Sequence, residues 1–328
     1  MVFLHHALQV SLLWAGVDLF FILSGYLITN ILLRDCERLT FGKMIGRFYL
    51  RRAERILPAY LLFLAIAFYF VRDDLIRLWV YYVTFLQNVP YAFGMLHGFI
   101  LVPLWSLAVE QNFYLFWPLL IFFLPRRWLA PMMIGLLLGV PVLRAVCTPL
   151  FSKPEAIYTL TPFRLDAMAA GALAALLLPH CKPAITIRLA QIAMATGIVA
   201  YFLLGMHPWF RRGANTVAFN TLAYSLNILV LGGLFVWAAL SRDTPLTRFL
   251  SSPPLRGLGR ISYMFYLLHL LVLMLAERYF GRLGGAAVGF VITTALATLS
   301  WFLVEKPILS LSKSHRRAAV TAPTEAGS

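Results

Sequence analysis

Apolar runs follow one another along nearly the whole chain, broken by short basic or turn-forming segments. Several of them approach the roughly 20 residues a helix needs to cross a hydrocarbon core. Residues 17–33, 59–71, 103–124, 132–146, 163–178, 187–206, 217–240, 261–280 and 286–304 read as spans. Residues 1–13 form a shorter apolar run, so the first helix is expected to be incomplete. Counting it, the pattern predicts an all-α polytopic membrane protein, a bundle of about ten transmembrane helices. Between the spans, residues 41–55 are basic and amphipathic, and Ile56, Leu57 and Pro58 are expected to close that segment. Residues 73–103 are aromatic and less uniform, with turn signals at Asn88, Pro90 and Gly94, which predicts an interfacial or re-entrant stretch. Pro307, after Glu305 and Lys306, is expected to stop the last span.

Composition agrees with this pattern. The 328 residues are 61% hydrophobic and 12% charged with a mean hydropathy of +0.81, where a soluble domain carries roughly 25% charged residues. A net charge of +15 would suit a nucleic-acid binder, but the basic residues lie in short breaks between apolar runs. That is the positive-inside arrangement, and it predicts a lipid bilayer and no nucleic acid as partner. With the N-terminus inside, the breaks at 34–55, at Arg126 and Arg127, at Lys182 and Arg188, at 242–260 and after Lys306 fall in the cytoplasm. Arg211, Arg212, Arg278 and Arg282 fall on the other side. Cys36, Cys147 and Cys181 are scattered and suggest neither disulfides nor a metal site. The expected organisation is one membrane domain over 1–311 and a disordered cytoplasmic tail over 312–328, where small and polar residues take over.

Ionisable groups inside spans cost several kcal/mol unless they are paired or functional, so each is a candidate. His5 and His6 point about 100° apart on a helix, and one imidazole facing a pocket would be a natural general base for a hydroxyl proton. Asp18 and Ser24 lie in the next span. Arg52 and Arg55 are an i, i+3 pair that shares a helix face and suits either phosphate or a topology-setting charge. Glu110 stands several residues into an apolar aromatic helix and must face protein or water. Arg164 and Asp166 read as structural or pocket-lining, and His269 as a helix-packing histidine or a second pocket residue.

Taken in order, these stretches resemble the acyltransferase-3 family of membrane acyltransferases, which includes bacterial O-antigen and exopolysaccharide O-acetyltransferases. The resemblance is carried by 16–29, by 49–58, by the run from Trp105, Ser106 and Leu107 to Glu110 and Tyr114, by 163–171, by 259–269 and by Glu305, Lys306 and Pro307. It implies a multi-pass protein of the bacterial cytoplasmic membrane that takes acyl-CoA, usually acetyl-CoA, as donor substrate. The acceptor is a hydroxyl on a carbohydrate or another molecule, and neither a tightly bound cofactor nor a metal is implied. The family's first-helix histidine falls on His6, its RxxR on Arg52 and Arg55, and the glutamate of its WSLxxE on Glu110. Asp18, Ser24, Arg164, Asp166 and His269 are then expected in the substrate pocket. A basic residue usual in the family would lie eleven positions before His6, upstream of Met1. That departure keeps a noncatalytic relative open as an alternative. A transporter or flippase of a lipid-linked sugar is the other, and it would show internal repeats with paired broken helices, which the sequence does not display.

Overall fold

The computed structural model describes residues 1–311 apart from Arg212 and Arg242, and the tail expected at 312–328 lies outside the described residues. Among the described residues every regular element is helical. The principal helices are α1 (Val2–Leu8), α2 (Gly16–Cys36), α3 (Phe41–Arg77), α4 (Leu104–Phe123), α5 (Arg126–Cys147), α6 (Leu165–Leu177), α7 (Pro183–Gly205), α8 (Val217–Leu240) and α9 (Pro253–Ser300). Seven stretches are long and apolar enough to cross a membrane. This is the all-α, multi-pass architecture that the apolar pattern predicts. The count of about ten passes maps onto it unevenly, because the apolar helix Leu165–His180 is short and α9 is doubled on itself.

The doubling occurs at Gly281, whose φ of +66° breaks α9 in a conformation that glycine adopts without steric cost. The halves fold back side by side: Phe265 and Phe290 stack edge to face at 5.6 Å, and a side chain at Gly285 would strike the backbone of Glu277. α1 packs into this hairpin through Phe3, 5.6 Å from both of those rings, and Arg282 Nε donates to the Ala7 carbonyl at 3.3 Å.

Two expected proline stops are overridden. Pro58 lies inside α3, so the basic segment 41–55 is the first half of a spanning helix and not a separate interfacial one. A proline costs one backbone hydrogen bond, but ending the helix in an apolar surrounding would strand several, and the helix breaks only at Val71. Pro307 likewise does not end the last helix, which passes through a π turn at Trp301–Glu305 and stays helical through Leu311. The proline then falls in the first turn of the renewed helix, where no N–H is needed.

Helices α2, α4 and α6 begin at the same end of the bundle, since Phe21 meets Trp105, Thr29 receives a hydrogen bond from Trp117 and Asp18 meets Arg164. α3 runs the other way against α4, with Phe41 on Phe122 and Phe48 on Tyr114. The expected interfacial stretch is a cap made of the short helices Trp79–Val83 and Asn88–Ala92 and a turn at Phe99–Leu101. The cap is tied down by Asn88, which donates to the Thr159 carbonyl at 3.1 Å and to Thr161 at 3.2 Å. Asp74 also holds it, accepting from the backbone N–H groups of His97 and Gly98 at 2.9 and 2.5 Å.

The backbones of α2 and α6 approach closely at two glycines. A Cβ at Gly25 would overlap the Met168 carbonyl, and one at Gly171 would overlap that of Ile22. Small residues at such crossings are how spanning helices approach closely without an aqueous hydrophobic drive. Gly25→Ala is therefore expected to destabilise the protein by about 1–3 kcal/mol by forcing the pair apart. Gly135→Ala, which meets nothing within 4 Å, should be neutral or slightly stabilising. Thermal unfolding of the detergent-solubilised protein compares the two.

Candidate functional site

Two cavities meet near the end of the bundle where α2 and α4 begin. The larger, about 410 Å³, lies between α1, α2, α4 and α9 and is mainly apolar; its polar lining is Ser106, Glu110, Ser262, Tyr263, Tyr266 and His269. The smaller, about 60 Å³, is lined by His5 and His6 of α1, by Trp14, Tyr91, Trp105 and Tyr158, and again by Tyr266 and His269. Val2, Val17, Tyr266 and His269 line both, and Tyr266 and His269 are the polar part of that shared wall.

α1 brings His6 to this wall. Its ring lies 5.4 Å from that of His269 and 6.3 Å from that of Phe99, and 5.0 Å from its neighbour His5. His5 is turned outward enough for its Nδ1 to bond the Val10 carbonyl at 3.0 Å. His269 is buried, and its Nδ1 donates to the Tyr266 carbonyl at 2.5 Å. A carbonyl only accepts, so Nδ1 carries the proton and Nε2, which has no partner among the described residues, is left as the acceptor. Tyr266 is held by Ser106 Oγ at 2.7 Å and donates to the Pro103 carbonyl at 3.1 Å. The sequence reading treated His269 as an isolated histidine; the structure sets it beside His6.

Glu110 sits deeper and does not touch His6. Its Oε1 accepts from Ser24 of α2 and from Tyr114, one turn along α4, the latter at 2.8 Å. Arg52 approaches the same tyrosine, its guanidinium 5.8 Å from the Tyr114 ring and 5.9 Å from Phe48, with Nε buried and without a partner. Arg55, one turn on, is exposed. Because α3 is continuous from Phe41, this arginine pair lies more than two turns inside the helix, with Arg52 level with Tyr114. His6 and His269 therefore stand at one depth, with Glu110, Ser24 and Arg52 at another.

Ser24, also expected in the pocket, lines neither cavity and reaches the larger one only through Glu110. Asp18, Arg164 and Asp166 were expected in the pocket too, but they line neither cavity. They belong to a buried ionic cluster in which Asp18 pairs with Arg164 and accepts from Asn227 of α8 at 3.2 Å. Asp166 pairs with Arg144 of α5 at 2.7 Å, and Arg144 also donates to the Phe163 carbonyl at 2.8 Å. Both guanidinium groups lie over the Tyr224 ring, at 4.6 Å for Arg164 and 5.0 Å for Arg144. The physical reason is charge balance: an arginine with 1% exposure is stable there only against a carboxylate, and this takes Asp18 away from the cavity. Arg144 and Asn227 were missed by the sequence reading. Arg144 stands alone in an apolar run, and the rule that flagged Glu110 would have found it. Among the described residues no group of three or more His, Cys, Asp or Glu side chains could hold a metal ion.

A sequence profile described as an acyltransferase domain, the acyltransferase-3 family, matches residues 1–306. The peptidoglycan O-acetyltransferase OatA of Listeria monocytogenes is 28% identical over 92% of this chain and 53% of its own length. The O-acetyltransferase OatA of Staphylococcus aureus is 27% identical over 89% of this chain and 52% of its own. The chain thus spans about half the length of the curated relatives it matches. No solved structure matches it.

The ionic cluster yields a stability test. Asp18→Ala should cost about 3–5 kcal/mol, because it leaves Arg164 buried without its carboxylate. Adding Arg164→Met should recover a large part of that loss, since replacing a whole buried pair by apolar groups is often close to neutral. Thermal unfolding of both variants checks the sign of the coupling.

Proposed function

Since the chain belongs to the acyltransferase-3 family, we propose that it transfers an acyl group, acetyl by preference, from acyl-CoA to a hydroxyl of a carbohydrate at the bacterial cytoplasmic membrane. The observation that carries this reading is the placing of His6, His269 and Glu110 on adjoining cavities, with Arg52 beside the Tyr114 that bonds Glu110, in a bundle otherwise apolar enough to exclude such groups. The names of the relatives support acetyl as the group and a cell-wall polysaccharide as the acceptor class. Exposed apolar side chains along the spans, such as Leu61, Phe116, Leu138 and Phe202, fit a lipid surround.

Each residue has a separate task. Arg52 and Arg55 hold the phosphates of the donor, since guanidinium groups bind phosphate through paired N–H donors. Glu110 fixes the position of Tyr114, against which Arg52 packs. His6 takes the proton of the acceptor hydroxyl as its oxygen bonds to the thioester carbon. The C–S bond then breaks and CoA leaves as the thiol, its proton returned from the imidazolium. His269, beside His6 with an unprotonated Nε2, orients the acceptor or the His6 ring.

His6→Ala is expected to lower acetyl transfer by about 10² to 10⁴ while CoA binding persists. Undiminished transfer by the purified variant would remove His6 as the base. Arg52→Ala combined with Arg55→Ala should weaken CoA binding about tenfold or more, read by calorimetric titration. Unchanged affinity would return the pair to a topology-setting role.

A further inference from the structure

Tyr263 has no place in the roles assigned above, yet its hydroxyl is buried and bonds to no described residue. It lies on α9, lines the 410 Å³ cavity together with Glu110, and follows Ser262, whose own hydroxyl is satisfied by the Gly259 carbonyl at 2.9 Å. The other tyrosines around the site are committed: Tyr60 donates to the Tyr82 carbonyl, Tyr114 to Glu110 and Tyr266 to the Pro103 carbonyl. A buried hydroxyl without a partner is costly to keep, and a phenylalanine would fill the same space without that cost.

The position of Tyr263 supplies the reason. The arginine level at Tyr114 and the histidine level at Ser106 are eight residues apart on α4, which is about 12 Å of helix axis. An acyl donor held by its phosphates at one level and reacting at the other must lay its pantetheine arm through the cavity between them. That arm carries amide carbonyls, which need hydrogen-bond donors once they leave water, and the cavity wall is otherwise largely apolar. Resting on the acyl-CoA reading above, we propose that the Tyr263 hydroxyl donates a hydrogen bond to an amide carbonyl of the pantetheine arm and so positions the donor along the cavity.

The test uses the purified full chain and calorimetric titration with CoA and, separately, with adenosine 3′,5′-bisphosphate, which has the nucleotide end but no arm. Tyr263→Phe should weaken CoA about threefold to tenfold, the effect of one lost hydrogen bond, and leave the bisphosphate unchanged. Thr294→Ala, on the same helix but outside the cavity lining, should change neither. Equal CoA affinity in Tyr263→Phe and the unmodified protein overturns the proposal. An equal loss for both ligands also overturns it, since that is general damage and not a contact with the arm. If the unmodified protein itself fails to bind CoA, the acyl-CoA reading falls and this proposal with it, an outcome distinct from a bound CoA indifferent to Tyr263.

Discussion

The pairing of Asp18 with Arg164 sets the geometry on which the site depends. Neither charge is tolerable alone in so apolar a bundle, so α2 and α6 must present them to each other, and the glycines at 25 and 171 let the two backbones close around that contact. Once α2 is fixed on that face, its helical period decides the rest. Phe21 and Ser24, turned toward α4, meet Trp105 and Glu110. Arg144, Asp166 and Asn227 bring α5 and α8 into the same arrangement. A cluster that lines neither cavity thus determines which side chain reaches Glu110.

Polar groups elsewhere follow a consistent division. Most hydroxyls within the spans are spent locally, as where Thr293, Thr294 and Thr298 donate to carbonyls one turn back. Such bonds remove the desolvation cost without joining helices. Around the cavities, Nε2 of His269 and the Tyr263 hydroxyl are buried without a partner among the described residues. Buried atoms without a partner also occur in the ionic cluster and the cap, at Nε of Arg144 and Arg164 and at Oε1 of Gln87.

The spans were legible because lipid imposes length and apolarity on each segment separately, and a local constraint can be read locally. Pro58 and Pro307 show where that reading fails. A proline's preference to end a helix is a local term of a few kcal/mol, and the cost of unsatisfied backbone in an apolar surround outweighs it. Among site residues, Glu110, His6 and Ser24 could be picked out as polar groups in apolar runs and Arg52 by its i, i+3 pairing with Arg55, but their depth could not. The destination of Asp18 was invisible for another reason: its partner is 146 residues away, and nothing in the sequence distinguishes a carboxylate aimed at a cavity from one aimed at an arginine.

The cap adds a constraint on what can reach His6. Asp74 is buried and spends its carboxylate on the backbone at His97 and Gly98 and on Arg77, which donates at 2.8 Å. This fixes the turn that follows, and with it Phe99 against the His6 imidazole. The chamber on that side is about 60 Å³, with Trp14, Trp105 and Tyr158 as further walls. The roomier cavity lies between α2 and α9. The two spaces adjoin along Val2, Val17, Tyr266 and His269, and the His6 imidazole stands beside the last of these.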